Sequence, residues 1–232
     1  MLNNDVTARA LIAFHHTKTN RLDFTSHEVI NSPVEGGFTL GAGRAFSEED
    51  KETLVDLLLN IDVGIEFIDT RILIKSRSLL AWYNPPQVID VLFRDAVHKA
   101  PIPGLIFIAS QGKLRCFAFK GKGRPTPDTK LFLAPMGNMY SSGSFCSGNC
   151  EVPKDNTIAS IPGWERFVLQ CVNTHMGIKV LKTPTNYEEV IAFYKDLSDT
   201  SAKNFPAAQL LPMLAKGVQL TLKDAVATGG EE

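Results

Sequence analysis

Positive charge is not in excess in this sequence, where 24 Lys and Arg stand against 25 Asp and Glu for a net charge of -1. A phosphate backbone would attract such a chain only weakly, so no nucleic acid partner is expected. No apolar run approaches the roughly 20 residues needed to cross a bilayer. The opening Met1-Leu-Asn-Asn-Asp5 has no positive region leading into an apolar core. A soluble, cytoplasmic protein without a membrane partner is the expectation. Cysteine is scarce, with four in 232 residues. That is too few for a disulfide framework, and in a reducing compartment such residues serve as free thiols, metal ligands or catalysts. Internal repeats and low-complexity segments are missing too. Gly41-Ala-Gly-Arg44 lacks the Lys-Ser/Thr ending of a phosphate loop and reads as turn chemistry. No cofactor is expected.

What is present is a globular composition, 44% hydrophobic, in a length that suits one domain better than two small ones. Val6 to Phe14, broken by Lys18-Thr-Asn-Arg21 before Leu22-Asp-Phe24, predicts a hairpin. His15 and His16 at its end point to opposite faces and read as ordinary strand-end side chains. Ser47 before Glu48-Glu49-Asp50 is an N-cap with acids in the first turn, opening a helix that ends near Asn60. Arg71 to Lys75 and Leu79 to Tyr83 predict strands closed by Asn84-Pro85-Pro86, and Val88 to His98 a short helix. The clearest hairpin joins Leu105–Ala109 to Lys113–Lys120 through Ser110-Gln-Gly112, with Cys116 packed inside its second strand.

Further on, Trp164, Phe167, Val168, Cys171 and Val172 fall on one face of a helix introduced by Pro162-Gly163 and stopping around Thr174. Cys171 then points inward with Trp164. Asn186 with Glu189 three residues on caps a last clear helix from Tyr187 to about Leu197. Leu210 to Val226 would pack peripherally. The expected organisation is a single domain over residues 1–232 with an N-terminal extension at 1–60 and a flexible tail at 227–232. Its fold class is α+β, a mainly antiparallel sheet backed by helices.

Ala134 to Pro153 stands apart, crowded with Gly, Ser, Asn and Pro and carrying Cys146 and Cys150. A thiol offered from such a loop is a nucleophile candidate, although free cysteine is also among the most buried residue types. Cys146 and Cys150 with Cys116 and His175 would make a zinc site, and a Cys146–Cys150 disulfide is a further alternative.

Asn138-Met-Tyr-Ser-Ser-Gly143-Ser-Phe-Cys146 resembles the active-site segment of ubiquitin-conjugating enzymes. That family has a His-Pro-Asn triplet, with the asparagine eight residues before the catalytic cysteine, and a glycine-containing turn between them. Asn138, Gly143 and Cys146 match; Met136-Gly137 stand where the family has His-Pro. Gly41–Arg44, Trp82–Pro86, Gly123–Thr129, Ala134-Pro135, Gly143–Gly148, Val152-Pro153, Ile161–Glu165 and Thr174-His175 together resemble PRTRC system protein B. That family, often carried on bacterial plasmids, is a prokaryotic branch of the ubiquitin-conjugating superfamily.

The resemblance implies a fold of the ubiquitin-conjugating type with the active-site loop just before a core helix. It implies a ThiF-like activating protein, a ubiquitin-like modifier and a JAB-type peptidase as partners. By the same resemblance Cys146 is the acyl relay. Asn138 is the donor to the oxyanion or the residue that shapes the loop, and Asn149 is a second donor. Asp128 and His175 are the residues that orient or deprotonate the incoming amine. A catalytically degenerate modifier-binding protein, or an accessory factor of plasmid maintenance, is the alternative.

Overall fold

The start of the chain folds as an antiparallel meander, β1 (Arg9–His16), β2 (Arg21–Asn31) and β3 (Phe38–Ala45), followed by α1 (Glu48–Leu59). The computed structural model describes residues 8–31, 37–59, 69–76, 78–148 and 150–227. Contacts divide the chain into two units, 1–66 and 67–232. The predicted first hairpin is present, in the register Arg9↔Glu28 to His16↔Arg21. Its turn uses Asn20 at φ 51°, a conformation asparagine tolerates. His15 and His16 bond separately, to Asn20 and Asp23.

Gly41 to Arg44 is strand, not turn. The β2–β3 register shifts between His27 and Val29, and a Cβ on Gly43 would lie 2.4 Å from His27 Cε1. The glycine makes room for a side chain where the ladder bulges. At α1 the cap is reciprocal: Asp50 N donates to Ser47 Oγ and Ser47 N to Asp50 Oδ2. Arg44, and after it Ser47, hold the Asp50 carboxyl well below the usual range.

In the second unit β4 (Ile72–Lys75), β5 (Leu79–Asn84), β8 (Gly104–Ser110), β9 (Lys113–Phe119) and β10 (Phe132–Leu133) form one antiparallel sheet in the order β10-β9-β8-β5-β4. The predicted β8–β9 hairpin turns through Gln111 and Gly112, at φ 51° and 70°. These are the two consecutive positive values that suit a right-twisted ribbon. Both faces of the sheet are covered, which is why β8 reads as an unbroken apolar run. Leu105, Phe107 and Ala109 join Trp82, Cys116, Trp164 and Tyr194 in one cluster. Ile106 and Ile108 join Phe117, Leu131, Met213 and Leu222 in the other. Cys116 is fully buried, packed as expected.

Residues 88 to 98 are not a helix. β6 (Gln87–Leu92) and β7 (Val97–Ile102) make a hairpin, with Phe93 N donating to Ala96 O at 2.8 Å across the turn. Val88, Ile89 and Val91 are β-branched, and exposure alternates along β6, a period of two instead of 3.6. The remaining elements are α2 (Ile161–Leu169), α3 (Tyr187–Asp199), the short pair β11 (Leu214–Ala215) and β12 (Val218–Gln219), and α4 (Leu222–Ala227). Glu189 N donates to Asn186 Oδ1 at 2.9 Å, the predicted α3 cap. Leu210, Met213, Leu222 and Ala225 are buried, so the segment after Leu210 is part of the core rather than peripheral to it. Ala227 closes α4, and the rest of the expected tail lies outside the described residues. Among the described residues no helix is long and apolar enough to cross a membrane.

One polar knot fastens α2 to the sheet edge. Glu165 Oε1 accepts Arg71 Nη1 at 2.7 Å and the indole N–H of Trp82 at 3.1 Å, while Arg71 also donates to Asp69 and to Asn84 Oδ1. Removing the carboxylate would leave a buried indole N–H without a partner and a half-buried guanidinium short of one. Glu165→Ala is therefore expected to lose roughly 2–3 kcal/mol in urea unfolding; an unchanged urea midpoint would contradict that assignment.

Candidate active site

Residues 134 to 148 form a strap that follows β10 and meets β9 again where Ser144 bridges Arg115, and each fastening of it is specific. Ala134 to Gly137 are buried. Tyr194 of α3 donates its hydroxyl to Pro135 O at 2.5 Å, and Gly137 N donates to Asn173 Oδ1 at 2.6 Å. Asn173, itself buried, donates Nδ2 and its backbone N–H to Leu92 O, and its carbonyl accepts the Tyr187 hydroxyl. A Cβ on Gly137 would lie 2.9 Å from both Asn173 Cβ and His175 O. Position 137 therefore requires both a missing side chain and a free N–H, and proline offers neither. Asn173 is what fixes the strap where a His-Pro pair is absent.

Beyond Gly137 the strap becomes a small hairpin. Met139 and Phe145 bridge, Tyr140 N donates to Ser144 O at 2.8 Å, and Cys146 N donates to Asn138 O at 2.7 Å. Gly143 turns it at φ 87°, close enough to β9 that a Cβ would lie 2.5 Å from the Phe117 ring, and Cys116 N donates to Gly143 O. Pairs opposite one another share a face, and alternate pairs share it too. Asn138 and Cys146 thus point the same way as Tyr140 and Ser144, while Met139 faces the core at 2% exposure.

Cys146 is half-buried, with its thiol held below the ordinary range. The largest cause is the Tyr140 hydroxyl; the Gly148 N–H is the next, and burial opposes both. Tyr140, half-exposed, is itself pushed up by the same contact. Removing this hydroxyl in Tyr140→Phe should raise the Cys146 thiol pKa, so that alkylation at neutral pH slows severalfold and recovers as pH is raised. An unshifted alkylation profile would remove Tyr140 from the site. Tyr140 and Asn173 were not picked out from the sequence. The signal for Tyr140 is its place two residues from Asn138, on the face the hairpin shares with Cys146.

Asn138 is engaged on every side. At φ 58° its Nδ2 donates to Val172 O at 2.8 Å, and its Oδ1 accepts Thr174 N at 3.0 Å and Thr174 Oγ1 at 2.8 Å. Its backbone N donates to His175 O at 2.9 Å. Of the two roles expected for it, this geometry carries the shaping of the loop. His175 is brought to the site by its backbone, with Nδ1 3.1 Å from Thr174 Oγ1 and its side chain exposed. Asp128 is engaged elsewhere, paired with Lys223 of α4 at 2.9 Å. Asn149 lies outside the described residues.

Cys171 packs partly buried against the cluster that holds Trp164, as expected, but not from a helix. α2 ends at Leu169, and Cys171 lies beyond it with its sulfur 2.7 Å from that of Cys150. The apolar spacing continues to Val172, but the Asn173 N–H that would bond Leu169 O in a continuing helix donates to Leu92 O instead, and Asn173 bridges Phe93. Cys150 thus faces Cys171 rather than Cys146. Among the described residues no three His, Cys, Asp or Glu side chains gather as metal ligands, and Cys116 is sealed within the sheet.

A cavity of about 330 Å³ flanks the cysteine, lined in part by Arg115, Ser144, Phe145, Ser147, Trp164 and Phe167. The arrangement offers a surface thiol with a lowered pKa on a loop fixed at named points, beside room for a chain segment. No curated protein and no solved structure matches the chain. The model of prokaryotic E2 family D matches residues 54–213, a span holding the strap, Cys146, α2 and α3. The chain belongs to prokaryotic E2 family D, a family of the ubiquitin-conjugating kind.

Proposed function

We propose that the protein is a ubiquitin-conjugating-type carrier that accepts a ubiquitin-like modifier as a thioester on Cys146 and passes it to an amine. The observation that carries this is the placement of Cys146, half-buried on a hairpin whose Cys146 N–H donates to Asn138 O, with its thiol held below the ordinary range. The Cys146 thiolate attacks the modifier's C-terminal carbonyl in a thioester on the activating protein. A tetrahedral oxyanion forms, and the activating protein's sulfur leaves. An amine then attacks the new thioester, loses a proton, and Cys146 leaves as thiolate. Sulfur suits both halves because it is nucleophilic as thiolate and departs readily.

In this reading Asn138 holds the loop, and the hydrogen of its amide not used on Val172 serves the oxyanion. Asn149 is a second donor. His175, exposed beside Asn138, receives the amine's proton. Asp128 orients the amine once released from Lys223. The cavity beside Ser144 and Phe145 takes the modifier's C-terminal residues. The finer kinship is with PRTRC system protein B, the partners are a ThiF-like activating protein and a JAB-type peptidase, and the setting is the cytoplasm.

Incubation with the activating protein, modifier and ATP should yield an adduct that a reducing thiol removes. The second reading, a module that binds modifier without chemistry, is favoured only by Met136-Gly137 in place of His-Pro. Modifier bound without any adduct would establish it and overturn the first.

A further inference from the structure

We propose that Cys150 and Cys171 form a dithiol site that low-molecular-weight disulfides oxidise to an intramolecular bridge, locking the far end of the Cys146 loop onto the chain that follows α2. The two sulfurs come from segments 21 residues apart and lie 2.7 Å from one another. A disulfide bond is about 2.05 Å long, so a sub-ångström shift joins them. Cys150 is exposed, and Cys171 is half-buried. With Arg166, Glu151 and Gln170 they line a cavity of about 580 Å³, which admits a small reactant. Cys150 sits at the end of a turn, its N–H donating to Ser147 O and Gly148 at φ 50° within it. The other two cysteines are differently placed: Cys116 is sealed in the sheet, and Cys146 faces Tyr140.

The exposed Cys150 reacts first. Its thiolate attacks one sulfur of the disulfide RSSR, the S–S bond breaks, and RS⁻ departs and takes up a proton. Cys171 then gives up its proton, its sulfur attacks Cys150 Sγ in the mixed disulfide, and the second RS⁻ leaves. Two protein thiols are oxidised by two electrons in total, and RSSR is reduced to two RSH.

The consequence follows from where Cys171 stands. It directly precedes Val172, whose carbonyl accepts Asn138 Nδ2, and it is three residues before Thr174, which donates to Asn138 Oδ1. The loop from 138 to 150 is therefore already clasped to this strip at one end. The bridge adds a second clasp at the other, with Cys146 between them. This regulation concerns the same thiol as the transfer reading, but the oxidation requires neither modifier nor transfer.

The test is to treat the full chain with oxidised glutathione, quench in acid, and map disulfide-linked peptides by mass spectrometry. A Cys150–Cys171 link is expected in wild type and in Cys146→Ser, whereas Cys171→Ser should retain glutathione on Cys150. Alkylation of Cys146 should be severalfold slower in the oxidised chain than in the reduced one, a difference absent from Cys150→Ser. A Cys146–Cys150 link, or Cys150 and Cys171 both remaining alkylatable after treatment, would overturn the proposal. None of these readouts uses the modifier, so a failure of modifier charging is distinguishable from a failure here.

Discussion

Cys146→Ser is expected to convert an adduct that reducing thiols remove into one that survives them, and Cys146→Ala to abolish the adduct. A serine hydroxyl is scarcely ionised near neutral pH, while a thiol whose pKa is lowered is partly thiolate there. Charging of the serine variant should therefore be slower by more than about a hundredfold. The ester formed has a poorer leaving group, so what does form persists. The backbone bond from position 146 to Asn138 O involves no side chain and need not change. Cys150→Ser and Cys171→Ser should charge to the wild-type extent with thiol sensitivity intact. If either of those loses the adduct while Cys146→Ser keeps a thiol-sensitive one, the relay has been placed on the wrong sulfur.

The second large effect is expected at Asn138. Alanine there removes the donor to Val172 and both bonds from Thr174. It also places a side chain without polar atoms at φ 58°, which alone costs about 1 kcal/mol. A loss of roughly 3–4 kcal/mol in denaturant unfolding follows, most of it from three hydrogen bonds near 1 kcal/mol each. Charging should fall by about a hundredfold, comparable to removing a donor or misplacing a nucleophile by about an ångström. Asn138→Gly separates the contributions. Glycine accepts the positive φ, so stability should return in part, while charging of the folded protein should stay low because the loop has lost its tie to 172–174. Equal recovery of both would mean that backbone strain, and not the side-chain clasp, was the main effect.

Much of this molecule is legible in its sequence where the signal is local. Ser110-Gln-Gly112 supplies a turn with two positive φ values, and β8–β9 follows. Asn186 and Glu189 lie within one turn of each other, as do Ser47 and Asp50, and both caps form. The spacing of Asn138, Gly143 and Cys146 marks a hairpin that brings the first and last together through one backbone bond.

The errors have a common physical origin in contacts distant along the chain. Helical periodicity runs through Cys171 and Val172, yet the helix stops at Leu169, with the Asn173 N–H taken by Leu92 O. Val88 to His98 carries enough apolar residues for either element, and pairing across the Phe93–Ala96 turn decides for strand. Asn173 shows no motif; its role exists only because Gly137 N and Leu92 O flank it in space. The partner of Asp128, Lys223, lies 95 residues on, a contact with no local signal.

The measurement closest to the central claim is a map of the charged residue. The protein is to be charged with modifier, activating protein and ATP, denatured without reductant, digested, and the modifier's C-terminal glycine located among the peptides holding Cys116, Cys146, Cys150 and Cys171. The remnant is expected on Cys146, released by hydroxylamine or a free thiol. A remnant on Cys150 or Cys171, or on a lysine while Cys146 stays free at every time point, would contradict it.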